Sequence, residues 1–168
     1  RNSSETPTES TRTVRFIVND GTENSVASTQ QVSVAASNDA GTVTASGGTT
    51  AFIESSSASA TSDAIVVDSG VTVADRDDVL SSATVSITTN HVAAEDLLAF
   101  TNDGSSMGDI AGTYNATSGV LTLTSASGAS AAQMEAALQA VTYRNSSETP
   151  TESTRTVRFI VNDGTENS

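Results

Sequence analysis

Between Ser82 and Thr88 the chain reads SATVSIT, with Ala83, Val85 and Ile87 alternating with polar residues. A period of two is the signature of a half-buried strand. The same rhythm runs through Thr13–Val18, where Val14, Phe16 and Val18 alternate with Arg15 and Ile17, and through STQQVSVAA, where Val32 and Val34 share a face. Further extended stretches are predicted from Thr42 through TVTASGGTTAFIE, over Ala64–Val67 and Val71–Val73 (broken at Asp68-Ser69-Gly70), and over Leu97–Phe100. Ile110–Tyr114 and Val120–Thr124 flank Asn115–Gly119 as a hairpin would, and Val141–Tyr143 and Thr156–Val161 add two more strands.

One segment departs from this rhythm. In AAQMEAALQA, Ala131–Ala140, the positions Met134, Ala137, Leu138 and Val141 follow the i, i+3, i+4, i+7 spacing of an apolar helix face. Ser130 stands where an N-cap belongs. Asn145–Thr154 is a polar loop with one proline, and Asn19-Asp20-Gly21 is a turn built from residues that tolerate left-handed dihedrals. About seven short strands with turns every 8–12 residues predict an all-β sandwich with one short helix.

The pattern repeats at long range. The opening stretch Arg1–Ser25, RNSSETPTESTRTVRFIVNDGTENS, recurs without a difference as Arg144–Ser168. The offset is 143 (144 minus 1). Identity over such a length predicts a tandem array with that period. The frame places residues 1–37 as the closing strands of a preceding repeat, 38–40 as a linker, and 41–168 as a repeat that lacks its final strand. That strand would be the next copy of Val26–Ala36. The expected partners are adjacent copies of the same repeat, with strand exchange as one way to accommodate residues 1–37.

Composition narrows the function. Twenty acidic residues face seven arginines and no lysine, a net charge of −13. Such a surface repels nucleic acid and anionic membranes. No run approaches the ~20 apolar residues of a membrane span, so no membrane insertion is expected. Cysteine is absent, which removes disulfides and thiolate metal sites and leaves bound calcium as a candidate staple. His91 is the single histidine, expected on the surface in a polar loop, and there is no Gly-x-Ser-x-Gly turn. Zinc needs more nitrogen or sulfur ligands than one histidine supplies. No enzyme activity is expected.

The sharpest candidate chemistry is Asp75-Arg76-Asp77-Asp78. Calcium takes 6–8 oxygens from carboxylates, carbonyls and water at roughly 2.3–2.6 Å. The i, i+2 spacing lets Asp75 and Asp77 converge from a turn, with Asp78 beside them. The competing reading is a solvated acidic turn partly neutralised by Arg76. Glu95-Asp96, Asp103 and Asp109 are expected to be turn residues or solvated charges.

VTVADRDDVLSSATVSI, Val71–Ile87, resembles bacterial cadherin-like repeats, in which a strand runs into an Asp-x-Asp turn and then an alternating strand. Ala131–Gly164 adds to the resemblance: a short helix, then VTYRNSSE, then a strand ending in NDG, is similar to the cadherin-like repeats also found in chondroitin sulphate proteoglycans. The resemblance covers most of residues 38–164. It implies a cadherin/immunoglobulin-like β-sandwich in a large RTX-type surface adhesin. Such an adhesin is extracellular, on the surface of a Gram-negative bacterium, type I secreted, and serves attachment and biofilm. It implies Ca²⁺ between successive domains, with Asn38 and Asp39 as linker ligands and Glu54 as the first-strand glutamate that reaches the lower linker. This linker has Ala40 and Gly41, no proline, and a shorter run of acidic and amide residues than cadherin linkers. One or two ions are therefore implied rather than three. The alternative is a carbohydrate- or surface-binding sandwich. It is weakened by the absence of tryptophan and by phenylalanines and tyrosines placed mostly on core faces. A glycan or surface ligand would then belong elsewhere in the full protein.

Overall fold

The computed structural model describes residues 3–54, 64–77 and 79–168. It divides into two units, Arg1–Asn38 and Asp39–Ser168. The first is a single antiparallel hairpin. Strands β1 (Arg12–Phe16) and β2 (Ser28–Val32) pair from Arg12↔Val32 to Phe16↔Ser28. Every residue of both strands is exposed. A two-stranded hairpin without a covered face is marginal in water.

The second unit contains β3 (Thr42–Thr44), β4 (Ile65–Val66), β5 (Thr72–Ala74), β6 (Leu80–Thr89), β7 (Asp96–Ala99), β8 (Ala111–Asn115), β9 (Val120–Ala129), helix α1 (Ala131–Gln139), β10 (Thr142–Asn145) and β11 (Thr156–Asn162). All strand pairs are antiparallel. They form a four-stranded sheet ordered β11-β6-β9-β8, a three-stranded sheet ordered β4-β10-β7, and the pair β3-β5. The fold is thus all-β and sandwich-like with one short helix.

Alternation decides which residues enter the core. Ala83, Val85 and Ile87 of β6 are buried with Leu121 and Leu123 of β9, Val161 of β11 and Leu98 of β7. Helix α1 adds Met134, Ala137 and Leu138, and Val141 follows them into the core. This is the face that the spacing predicts. Ser130 caps the helix reciprocally: its Oγ accepts from the Gln133 N–H at 3.2 Å, and Gln133 Oε1 accepts from the Ser130 N–H at 2.9 Å. The β8–β9 hairpin turns at Gly119, whose φ of +70° favours glycine.

Two expectations are corrected. The extended reading of Thr42–Glu54 holds only for Thr42–Thr44. Gly47 and Gly48 then take φ values of +80° and +86°, which turn the chain out of the strand region. His91 is not a surface residue but half-buried, with its ring packed on Gly119, where a Cβ would lie 2.8 Å from its Cδ2.

Candidate functional site

Pairing of Thr42 with Ala74 in the β3–β5 ladder sets the linker beside the acidic turn. Gly41 is buried there, and a Cβ on it would stand 2.8 Å from Leu80 Cδ2 and 2.9 Å from Asp75 Oδ2. A larger residue there would have to displace the ends of the Leu80 and Asp75 side chains. Asp75 Oδ1 accepts from the Asp77 N–H at 2.8 Å, and Asp77 Oδ2 accepts from the Asp39 N–H at 2.8 Å. Three of the sequence-predicted residues, Asp39, Asp75 and Asp77, are thereby linked in one chain of hydrogen bonds. Asn38 falls in the first unit. Glu54 is exposed in the coil that follows β3, and Asp78 lies outside the described residues.

The donors at this junction are hard oxygens, the type calcium prefers. Among the described residues, however, no group of three or more acidic or histidine side chains is spaced to hold a metal ion. A calcium ion at the turn would draw on Asp75 and Asp77 and take its remaining oxygens from backbone carbonyls and water.

A second polar centre departs from the sequence expectation. Asp96, expected as a turn residue or solvated charge, is only 3% exposed. Period-two alternation in β7 puts it on the same side as the buried Leu98, a signal that could have found it. Its carboxylate accepts from the Tyr143 hydroxyl at 2.6 Å, the Val92 N–H at 2.8 Å, Arg155 Nε at 3.2 Å and Asn145 Nδ2 at 3.2 Å. A second guanidinium nitrogen of Arg155 lies 3.2 Å from it. The Tyr114 hydroxyl donates to the Asp96 carbonyl at 2.9 Å. Next to it, Glu95 accepts from the Thr151 N–H at 3.1 Å and the Thr151 hydroxyl at 3.3 Å.

The electrostatics follow from these contacts. Burial pushes the Asp96 carboxyl up, but the bonds from Tyr143, Val92 and Arg155 outweigh it and hold the acid below its ordinary value. Burial and the bond to Asp96 push the Tyr143 hydroxyl up to about 12. The Thr151 N–H, ahead of smaller contributions from Asn145 and Arg155, lowers Glu95. Asp96 is therefore a buried charge with a full set of donors. It ties β7, β10 and the loop before β11 together.

The other acids sort more simply. Asp103 is a turn residue, as expected, its Oδ1 accepting from the Ser105 and Ser106 N–H groups at 2.8 and 2.9 Å. Asp109 is exposed but held: its carboxylate accepts from the Ser125 hydroxyl and from the Ser127 N–H and hydroxyl.

A cavity of about 960 Å³ opens beside the Asp96 network. Its walls include Ile65 and Val66 of β4, Val157 and Phe159 of β11, and the aromatic pair Phe52 and Tyr143. Those two rings meet edge-on with centroids 5.5 Å apart. Among the described residues no helix is long and apolar enough to cross a membrane. Comparison of the chain with protein-family models, with curated proteins and with solved structures finds no match.

Proposed function

We propose that this chain is a window onto a tandem array of β-sandwich repeats, a cadherin-like extender of a large extracellular surface adhesin. The observation that carries the reading is the perfect recurrence of Arg1–Ser25 as Arg144–Ser168. Its two occurrences carry the same turn. Asn19 and Asn162 donate to Asn24 and Asn167 at 2.9 Å, and Gly21 and Gly164 donate to Asn19 and Asn162 at 2.7 Å. An array of near-identical acidic units suits length and reach rather than ligand diversity. The junction at Asp39, Asp75 and Asp77 is the place for Ca²⁺. Binding there would stabilise the folded repeat by mass action and stiffen its connection to the neighbour.

The test is thermal unfolding and small-angle scattering of a two-repeat protein that begins at Asn38, in millimolar calcium and in EDTA. A higher melting temperature and a longer particle in calcium, both lost on changing Asp75 and Asp77 to Asn, are the expected result. A melt and a shape that ignore chelation would remove calcium from the mechanism.

A further inference from the structure

Among the described residues, the two larger sheets of the second unit each end in a strand with one unpaired edge. β11 is the end strand of the four-stranded sheet and β4 the end strand of the three-stranded one. Both line the 960 Å³ cavity. Among the described residues no strand pairs with the outer edge of β11 along Thr156–Ile160. A sandwich open along a seam exposes backbone donors and acceptors that accept a further strand.

The sequence that suits this edge is already in the chain. β1 is identical in sequence to Arg155–Phe159, and β1 pairs with β2. The turn that precedes β2 in the first unit is also present after β11. Asn162 bridges to Asn167, and the Ser168 N–H donates to the Val161 carbonyl at 3.0 Å, as the Ser25 N–H donates to Val18 at 2.8 Å. We infer that β2 of a second copy of this chain adds to the outer edge of β11. The register is that of β1–β2, with Arg155–Phe159 standing where Arg12–Phe16 stand: Arg155 opposite Val32, Val157 opposite Gln30, Arg158 opposite Thr29 and Phe159 opposite Ser28.

The energetics favour the exchange. Moving β2 from β1 to β11 trades one set of backbone hydrogen bonds for an identical set, so that contribution is close to zero. The difference is burial. Beside β1, the strand buries little: Val14, Phe16 and Val32 are 42%, 57% and 47% exposed. Beside β11 it closes a cavity and covers Val157 and Phe159, which already pack on the core. Ser28 and Gln30 share a face with Val32, which matches walls that mix Phe159 and Val157 with Asn145 and Thr154. Exchange of an identical element between copies is a low-cost route to association.

The inference rests on the repeat reading only through the shared sequence and does not involve calcium, so its test is run in EDTA. The chain has no cysteine, and Thr29 and Arg158 are both exposed. Thr29→Cys and Arg158→Cys variants of this 168-residue chain are mixed in a glutathione redox buffer, and the disulfides are mapped by mass spectrometry. Directly paired antiparallel residues have Cα atoms about 4.5–5.5 Å apart, within disulfide range. The expected result is a Thr29–Arg158 disulfide between chains well above the share given by random collision. Light scattering of the unmodified chain should show a mass above the monomer that falls on dilution. Random-level cross-linking overturns the inference. So does a Thr29→Cys, Arg158→Cys double variant that closes only within single chains. The Arg15→Cys, Thr29→Cys double variant measures the competing pairing with β1, and its dominance in a monomeric sample would also count against a second copy.

Discussion

Residues 12–25 and 155–168 have one sequence and two environments. Locally they are the same object. Arg12 donates to the Ser10 carbonyl at 2.6 Å and to Thr8, and Arg155 donates to the Ser153 carbonyl at 2.8 Å and to Thr151. Val18 and Val161 each donate a backbone N–H to a serine hydroxyl further along the chain, at 3.1 Å in both copies. Beyond a few residues the likeness stops. Val18 is 74% exposed, whereas Val161 is fully buried between β3, β6 and the core. Arg155 reaches Asp96 and Glu95, acids that β7 and the turn before it supply in the second unit. Turn and loop chemistry is thus carried by the segment itself. Burial comes from whatever the rest of the chain places against it.

The comparison breaks hardest at the arginines. Arg155→Ala leaves the Asp96 carboxylate buried without its counter-charge, and removal of one partner of a buried pair costs about 3–5 kcal/mol. Arg12→Ala removes local bonds on an exposed hairpin and should change global stability by less than about 0.5 kcal/mol. Urea denaturation of both variants measures the gap. Equal effects would mean that the Asp96 network is not where the second unit draws its stability.

The valines come next. Val161→Ala removes buried methyl groups and leaves a cavity, an expected cost of about 2–3 kcal/mol. Val18→Ala should be silent in the monomer.

The same contrast explains what can be read from the chain. β6, β9 and α1 are legible because one face of each is fully buried, which imprints the period: Ala83, Val85 and Ile87 on one, Met134, Ala137 and Leu138 on the other. The Asn115–Gly119 turn and the Ser130 cap are legible because their chemistry is local. Asp96 escapes a reading that weighs charge above position. Its donors Tyr143, Asn145 and Arg155 lie far along the chain, on β10 and in the loop before β11. The linkage of Asp39 to Asp77 likewise follows from the β3–β5 register, which no local pattern specifies. Of the candidate ligands, the sequence identifies residue types and the fold selects which of them meet.

Glycine gives a smaller contrast with a definite sign. Gly21 and Gly164 hold the same turn at φ of +100° and +101°. Alanine at either position meets no close neighbour, the nearest being Ser81 at 3.8 Å from a Cβ on Gly164. The cost is therefore backbone strain alone, about 1–2 kcal/mol. At Gly164 it should appear in the unfolding of the second unit, because the turn follows directly on β11, which is anchored by the buried Val161. At Gly21 it should appear only as loss of the hairpin, visible by amide exchange at Thr13–Phe16 and not in the global transition.

The smallest effect expected is on the acid side of the pH profile. Asp96 has its pKa lowered in the folded chain relative to an ordinary carboxyl near 3.9, so the unfolded chain binds its proton first as pH falls. The stability it contributes is fully present above about pH 5, a unit over the ordinary carboxyl value, and is lost as pH drops toward and through the folded value. Burial acts against the lowering and is the largest single influence on this acid. The net slope is what remains after Tyr143, Val92 and Arg155 offset it, and it should be shallow. Asp96→Asn, close in shape but unable to ionise, should flatten that part of the stability profile between pH 5 and pH 3, whatever it does to stability at pH 7. The exposed acids of the first unit keep the same pH environment in both proteins. A profile unchanged by Asp96→Asn would therefore assign the acid sensitivity to the surface carboxylates and their mutual repulsion rather than to the buried network.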